Sequence, residues 1–211
     1  MSDSELEVLF NKYGCDKSDK HQYHDIYEQF MYRKKDDRLN ILEIGVWKGA
    51  STMAFHDYFQ NSHIYGIDVF ERLSVDDVEA NEYDRVYLAK GNSMEASILS
   101  LLHNDFSVEY DFIIDDGAHY PKANRLTFKY AMNFLKVGGT YFIEDVFPFE
   151  KLTLAQRAHP WLQKYPDRYN DIENEAFLKE IESSGFKIER FDNRKLTGQP
   201  DSYIIALTRK Y

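Results

Sequence analysis

From residue 39 onward the chain alternates short β-rich runs with stretches of helical periodicity, and this alternation constrains its fold more than any other feature. The runs are 39–44, 63–67, 86–89, 112–114 and 140–143. Each is short and apolar enough to be a strand buried on both faces. Strands joined through amphipathic segments imply βαβ crossovers and a parallel sheet. Residues 50–59 supply the first crossover helix. The clearest helix begins at Pro121, a residue suited to a first helical turn. It aligns Ala123, Leu126, Thr127, Tyr130, Ala131 and Phe134 on one face, and Gly138-Gly139 is expected to end it.

Residues 172–184 read as another helix, followed by strands at 186–191 and 202–208. With no room for a helix between them, these two strands must be antiparallel neighbours. The expected architecture is α/β: a doubly wound, seven-stranded sheet, mostly parallel, closed by a C-terminal β-hairpin. Pro and Gly are scattered and no linker or repeat interrupts the chain, so residues 1–211 read as one domain. Within it, 1–38 form a short helical N-terminal extension and 39–211 the core. Tyr23, Ile26, Tyr27 and Phe30 carry the helical spacing of the extension. Residues 146–170 read as a long loop with a helical piece.

The 15 Phe, 16 Tyr and 2 Trp residues can bury enough area to exclude disorder throughout. A formal charge of −10 argues against nucleic-acid binding, and the basic run Arg33-Lys34-Lys35 is flanked by acids. No run reaches the length of a membrane span, and the N-terminus lacks the basic and apolar parts of a signal peptide, so the cytoplasm is the expected compartment. Cys15, the one cysteine, excludes an intramolecular disulfide and a Cys-based zinc cluster and reads as an inert thiol. The aromatic content permits a homo-oligomer without counting its subunits.

The first strand-to-helix turn reads Glu43-Ile-Gly45-Val-Trp-Lys-Gly49-Ala-Ser51. Open α/β sheets bind ligands at the carboxyl ends of their strands, where strand order reverses, so this turn is the prime candidate site. Trp47 stands where a dinucleotide fingerprint needs glycine, which disfavours a nicotinamide or flavin cofactor. Asp68 ends the next strand, where a carboxylate can accept both hydroxyls of a ribose. This order of features resembles motifs I and II of class I S-adenosyl-L-methionine-dependent methyltransferases, whose Rossmann-like sheet ends in the same hairpin. The resemblance implies that Gly45 and Gly49, with Glu43 and Ser51 of the same turn, serve the amino-acid end of that cofactor. Asp68 would hold its ribose, and Asn92 and Ser93 would sit near the adenine. Asn92 departs from the Asp that many members carry.

A second cluster lies further on, with Asp115-Asp116-Gly-Ala-His119 after the fourth strand and Glu144-Asp145 after the fifth. Adjacent strands can bring Asp116, Glu144 and Asp145 together, and crowded carboxylates need protons, cations or distance to relieve them. A hard divalent cation such as Mg²⁺ is the simplest relief; dispersed, solvated strand-end acids are the other reading. His119 is placed to remove a hydroxyl proton. The cluster resembles the metal-dependent macrolide-sugar O-methyltransferases and their cephalosporin hydroxylase-like relatives. So do Gly14-Cys15-Asp16-Lys17 and His21-x-Tyr23-x-x-x-Tyr27-Glu28, although Cys15 stands where those relatives have Thr.

By that resemblance Asp116, Glu144 and Asp145 hold the metal, His119 is the base, and Asp115, Lys17 and Tyr27 belong to the cofactor side. The activity implied is methyl transfer to a hydroxyl of a sugar or sugar-containing metabolite. Phe147, Phe149, His159, Trp161 and Tyr165 either meet that acceptor or cover the core. Lys17, His21, Tyr23 and Tyr27 either close over the cofactor or pack their own helix. The alternatives are a cofactor-binding protein without catalysis, or transfer to a non-sugar or phosphorylated acceptor. Iron-dependent hydroxylation is disfavoured, because three carboxylates do not make a two-His-one-carboxylate face.

Overall fold

The computed structural model describes residues 4–98, 108–146, 153–158, 160–164 and 171–211. Their strands are β1 (Asn40–Ile44), β2 (His63–Asp68), β3 (Val86–Lys90), β4 (Tyr110–Asp115), β5 (Leu135–Ile143), β6 (Phe186–Asp192) and β7 (Tyr203–Arg209). They form a seven-stranded sheet of order β3-β2-β1-β4-β5-β7-β6. β1 to β5 pair in parallel, and β7 runs antiparallel between β5 and β6. Strand order reverses between β1 and β4, which opens a crevice beyond Ile44 and Asp115. The fold is the expected Rossmann-like one.

The N-terminal residues form α1 (Glu5–Tyr13), α2 (Asp16–Asp19) and α3 (His24–Met31), and α4 (Ala50–Tyr58) follows β1. Ser4 caps α1 by accepting from the Glu7 N–H, and Gly14 ends it in the left-handed conformation. These helices are part of the core. Leu6, Phe10, Tyr23, Tyr27 and Met31 are fully buried in one cluster with Phe55, Phe59 and Phe142. Tyr27 meets Phe55 and Phe142 edge-on at ring centroid distances of 5.6 and 4.9 Å. Each such ring contributes roughly 1.5–3 kcal/mol by burial alone, so the extension is held as firmly as the crossover helices. The opposite face of the sheet is covered by α5 (Pro121–Ala131) and α6 (Asp171–Ser183), through Phe128, Phe177 and Ile181.

Two local expectations are corrected. Gly138-Gly139 does not end the Pro121 helix, which stops at Ala131 and passes through a 3-10 turn; both glycines lie inside β5. There the β4–β5 register slips between Tyr110 and Phe112, and a Cβ on Gly139 would come within 2.9 Å of the carbonyl oxygens of Asp111 and Lys136. The glycines serve a strand irregularity. The last two strands are antiparallel neighbours as expected, yet a helical turn, Arg194–Thr197, fits between them. Among the described residues, no helix is long and apolar enough to cross a membrane.

Candidate active site

A cleft of about 860 Å³ opens over the carboxyl ends of β1, β2, β4 and β5. One wall comes from the first βα turn. Gly45 has φ 92° and Trp47, which follows it closely, has φ 52°, a left-handed backbone that a bulky residue rarely adopts. Asp68 holds this turn, since its Oδ2 accepts from the Trp47 N–H and its Oδ1 from the Phe70 N–H, both at 2.8 Å. Further along this wall, Asn92 accepts from the Met94 N–H at 3.1 Å, and Ser93 bonds Thr127 at 3.0 Å.

The structure separates the predicted cofactor residues into two groups. Gly45, Asp68, Asn92 and Ser93 line the cleft. Glu43, Gly49 and Ser51 lie behind its wall. Glu43 is fully buried and accepts from Ser51 Oγ and from Thr52 Oγ1, the latter at 2.6 Å, tying β1 to the first turn of α4. A Cβ on Gly49 would meet Ala80 and Val78 rather than a ligand. Asp115 is also buried, accepts from the Tyr141 hydroxyl at 2.8 Å, and is pushed up to about 7 by desolvation.

The other wall carries the acidic cluster. Lys17 is 2% exposed, and its Nζ lies 2.5 Å from Asp116 Oδ2 and 2.6 Å from Glu144 Oε2. The Tyr27 hydroxyl donates to the other oxygen of Glu144. Lys17 and Tyr27 meet Glu144 on its two different oxygens, and neither lines the cleft. Both are spent on the carboxylates, so an internal ammonium supplies part of the charge relief that the sequence attributes to a metal. Desolvation opposes the Lys17 charge, but Asp116 and Glu144 outweigh it and raise its pKa. Burial lifts Glu144 to about 8 against the pull of Lys17. Asp145 is raised as well, first by burial and then by the neighbouring carboxylates.

Glu144 is engaged by Lys17 and Tyr27, and among the described residues the potential ligand atoms that converge are those of Asp116, His119 and Asp145, all within 4.8 Å of one another. His119 Nε2 lies 3.5 Å from Asp116 Oδ1. His119 and Asp145 have φ of 54° and 52°, so three of the strained non-glycine residues, Trp47 among them, face one cleft. Strain held at such a point is a mark of function. Two carboxylates and an imidazole can hold a divalent cation, or can accept a proton from a hydroxyl placed between them.

A third wall joins the N-terminal segment to the β6–β7 connection. His21 Nδ1 lies 2.9 Å from Ser202 Oγ, and its ring stacks on Tyr23 at 5.2 Å. The Tyr23 hydroxyl donates to Asp145 Oδ1 at 3.0 Å and to the Asp201 carbonyl at 3.1 Å. The sequence reading passed over Asp201 and Ser202, whose only local signal is the Gly198-Gln-Pro turn before them. Cys15 is buried, and desolvation pushes its thiol up to about 12, so it is inert. Phe147, Phe149, His159 and Tyr165 lie outside the described residues, as does the side chain of Trp161.

Residues 42–146 match a family described as a methyltransferase domain. The chain is 27% identical over 127 residues to mycinamicin VI 2''-O-methyltransferase of Micromonospora griseorubida, covering 57% of this chain and 30% of that protein. It is 28% identical over 151 residues to L-olivosyl-oleandolide 3-O-methyltransferase of Streptomyces antibioticus, covering 67% and 37%. The matched stretch therefore spans only about a third of these relatives' length. Among solved structures, the MycE methyltransferase from the mycinamycin biosynthetic pathway, in complex with Mg and SAH, superposes with a TM-score of 0.72 at 19% identity, over 98% of this chain and 55% of that one. An O-methyltransferase from Bacillus cereus in complex with SAH gives a TM-score of 0.63 at 18% identity, over 99% and 92%.

Proposed function

The chain belongs through residues 42–146 to the methyltransferase domain family, and on that premise we propose that it transfers a methyl group from S-adenosyl-L-methionine to a hydroxyl of a sugar or sugar-containing metabolite. The carrying observation is that Asp116, His119 and Asp145 converge in the same cleft as Gly45, Asp68 and Asn92. Both relatives named above are O-methyltransferases by name, and the name of one, L-olivosyl-oleandolide 3-O-methyltransferase, carries a glycosyl group, which supports a sugar hydroxyl as acceptor.

The residues fit the cofactor. Each Asp68 oxygen already accepts one backbone N–H and keeps a lone pair for a ribose hydroxyl. Asn92 and Ser93 lie further along the same wall, where an adenine would reach. Glu43 and Ser51 act at one remove, by fixing the start of α4 against β1. Gly49 acts by letting α4 approach Ala80.

The donor set also fits a hard divalent cation, with Asp116 and Asp145 as oxygen ligands. Such an ion would lower the pKa of the acceptor hydroxyl and orient it toward the methyl group. Glu144 keeps its place on Lys17 and Tyr27 and steadies Asp116 from behind. His119, beside Asp116, would take the hydroxyl proton as the oxygen–methyl bond forms and the sulfonium–methyl bond breaks, with S-adenosyl-L-homocysteine as the leaving group. Most of the acceleration would come from alignment and charge, since the reacting oxygen is held by fixed groups in a partly buried cleft. The 4.8 Å grouping favours a second reading of His119 alone, as a third ligand in place of the base.

The test is calorimetric titration with S-adenosyl-L-homocysteine, in Mg²⁺ and again in EDTA. Micromolar or tighter binding is expected. Weaker binding in EDTA would tie the metal to cofactor affinity, and unchanged binding would put it on the acceptor side. No binding in either buffer would overturn the methyltransferase reading. His119→Ala separates the two roles: loss of Mn²⁺ affinity marks a ligand, and loss of turnover with Mn²⁺ affinity intact marks the base.

A further inference from the structure

Asp145 needs outside help to keep its orientation. It follows β5 on a left-handed backbone of φ 52°, and the chain is tied down on both sides of it: the Glu144 N–H donates to the Asp115 carbonyl and the Val146 N–H to the Tyr203 carbonyl, both at 3.0 Å. The backbone is thereby fixed, but Asp116 and Glu144 stand close by, and like charges drive the carboxylate out of the cluster. One side chain opposes that. The Tyr23 hydroxyl lies 3.0 Å from Asp145 Oδ1, and a phenol can donate where the neighbouring carboxylates only accept. His21 Nδ1, at 3.6 Å from the same oxygen, is beyond hydrogen-bond reach.

Tyr23 is itself held in place. It is fully buried, its ring lies against His21 at 5.2 Å with the planes 23° apart, and its hydroxyl also faces the Asp201 carbonyl at 3.1 Å. Its N–H donates to the Lys17 carbonyl at 2.7 Å, which ties it to the residue that neutralises Asp116 and Glu144. The residue before it, Gln22, has φ 52°, and Asn193 Nδ2 donates to the carbonyls of His21 and Gln22 at 3.2 and 2.8 Å. Asn193 is placed in turn by its own N–H on the Ser202 carbonyl at 2.9 Å. A chain of contacts therefore runs from the β6–β7 connection through a strained turn to the phenol and on to Asp145. Strain at both ends of that chain, at Gln22 and at Asp145, is the kind a fold retains where it serves a site.

We propose that Tyr23 is a positioning residue: its hydroxyl holds the Asp145 carboxylate in the orientation that lets it meet a divalent cation together with Asp116 and His119, and Asn193 holds the turn that presents Tyr23. The proposal rests on the metal part of the reading above and deepens it. Tyr23 is fully buried and does not line the cleft, so it acts only through Asp145. Hydrogen-bond partners of this kind, one step behind a metal ligand, typically change metal affinity by about 10- to 100-fold when removed. The N-terminal helices then give the acidic cluster two supports of different kinds. Lys17 offsets the charge of Asp116 and Glu144, and Tyr23 sets the direction of Asp145.

The experiment follows Mn²⁺ binding to the full chain by electron paramagnetic resonance, in which the signal of the free ion disappears as it binds. Asp145→Asn identifies the cluster site, because surface sites survive that change. For the site so identified, Tyr23→Phe, which keeps the ring and its stack, should raise Kd by about tenfold, and Asn193→Ala by about threefold. S-adenosyl-L-homocysteine affinity, measured in EDTA, should stay within about twofold in both variants. A merely structural hydroxyl would lower the unfolding midpoint in EDTA and leave the Mn²⁺ Kd alone. An Mn²⁺ Kd within about twofold of wild type in Tyr23→Phe would therefore overturn the positioning role. So would an equal loss of Mn²⁺ and S-adenosyl-L-homocysteine affinity, which marks collapse of the whole cleft. Should Tyr23→Phe not fold, Asn193→Ala decides by the same two outcomes. If the wild type has no Mn²⁺ site that Asp145→Asn removes, the metal reading itself falls, and the positioning role with it.

Discussion

The two ends of the cleft are built by different means. At the turn end, Gly45, Trp47, Asp68 and Phe70 lie within a short stretch of chain, and one carboxylate gathers two backbone N–H groups. At the acidic end, side chains hold side chains across the whole sequence: Lys17 reaches Asp116 and Glu144 over separations of 99 and 127 residues, and His21 reaches Ser202 over 181. The turn end is a backbone conformation, set by local glycines and a strand end. The acidic end exists only when the N-terminal helices, both central strands and the last hairpin have all docked. A local motif is therefore enough to specify one end, and only the finished fold specifies the other.

Breaking the acidic end should cost most. Lys17→Met keeps the volume and removes the ammonium, leaving Asp116 and Glu144 facing each other. Removing one partner of a buried ion pair costs about 3–5 kcal/mol, read as a lowered midpoint in urea unfolding. Mg²⁺ should recover part of that loss in Lys17→Met and add less to the wild type, because the ion then does the work of the missing charge. A variant destabilised by under 1 kcal/mol (~0.6 kcal/mol is RT) would mean that the carboxylates were already protonated or solvated.

At the turn end the sharpest test is Gly45→Ala. A Cβ there would lie 2.1 Å from the carbonyl oxygen of Asp116, at a backbone φ of 92° that alanine resists. Overpacking and backbone strain together should cost about 2–3 kcal/mol. Because the clash is with the backbone of Asp116, divalent-cation affinity should fall along with S-adenosyl-L-homocysteine affinity. Loss of the second without the first would show that the two ends are mechanically independent.

The same division explains how much the sequence disclosed. The sheet and its crossovers were legible because buried parallel strands leave apolar runs at regular spacing, and Asp68 was legible as a strand-end acid. Gly45 was singled out for its freedom of backbone, and its φ of 92° uses that freedom with the carbonyl of Asp116 packed close against it. The glycine pair at 138–139 misled, since a stop after a helix and an irregularity within a strand use the same residue. Lys17 and Tyr27 were marked as site residues, but nothing near them in sequence says that they face Glu144. Asp201 carried no signal beyond the Gly198-Gln-Pro turn before it, because its place in the cleft depends on β7 inserting between β5 and β6.

Asp115, beneath the floor joining the two ends, gives a smaller effect with a pH signature. Its folded pKa of about 7 lies above that of an unfolded Asp, so the native state keeps a proton that the unfolded chain releases. Stability should therefore fall as pH rises from about 4 to about 7, by roughly 1 kcal/mol per pH unit at the steepest. Asp115→Asn still accepts from Tyr141 and cannot ionise. Its stability curve should be flatter over that window, with the gain over wild type largest at and above pH 7. Parallel curves would place Asp115 outside the titrating set.

The smallest effect is expected where a long-range pair forms outside the cleft. Asp57 on α4 accepts from Lys12 Nζ at 2.7 Å and from the Tyr13 hydroxyl at 2.6 Å, over separations of 45 and 44 residues. Distance along the chain is thus again large, but Lys12 is 55% exposed where Lys17 is 2%. Desolvation is the largest single influence on Asp57 and raises its pKa, but the bonds from Lys12, Tyr13 and His56 together overcome it and lower the value to about 2. Such a depressed carboxylate stabilises above the unfolded pKa near 4, and the contribution is lost as pH falls toward 2. Asp57→Asn should lower Tm by no more than about 2 °C at pH 7, since water and salt screen an exposed pair. The difference should shrink in 1 M salt (a Debye length of about 3 Å) and vanish near pH 2. A loss as large as that of Lys17→Met would mean that sequence separation, and not burial, sets the cost of breaking a contact in this fold.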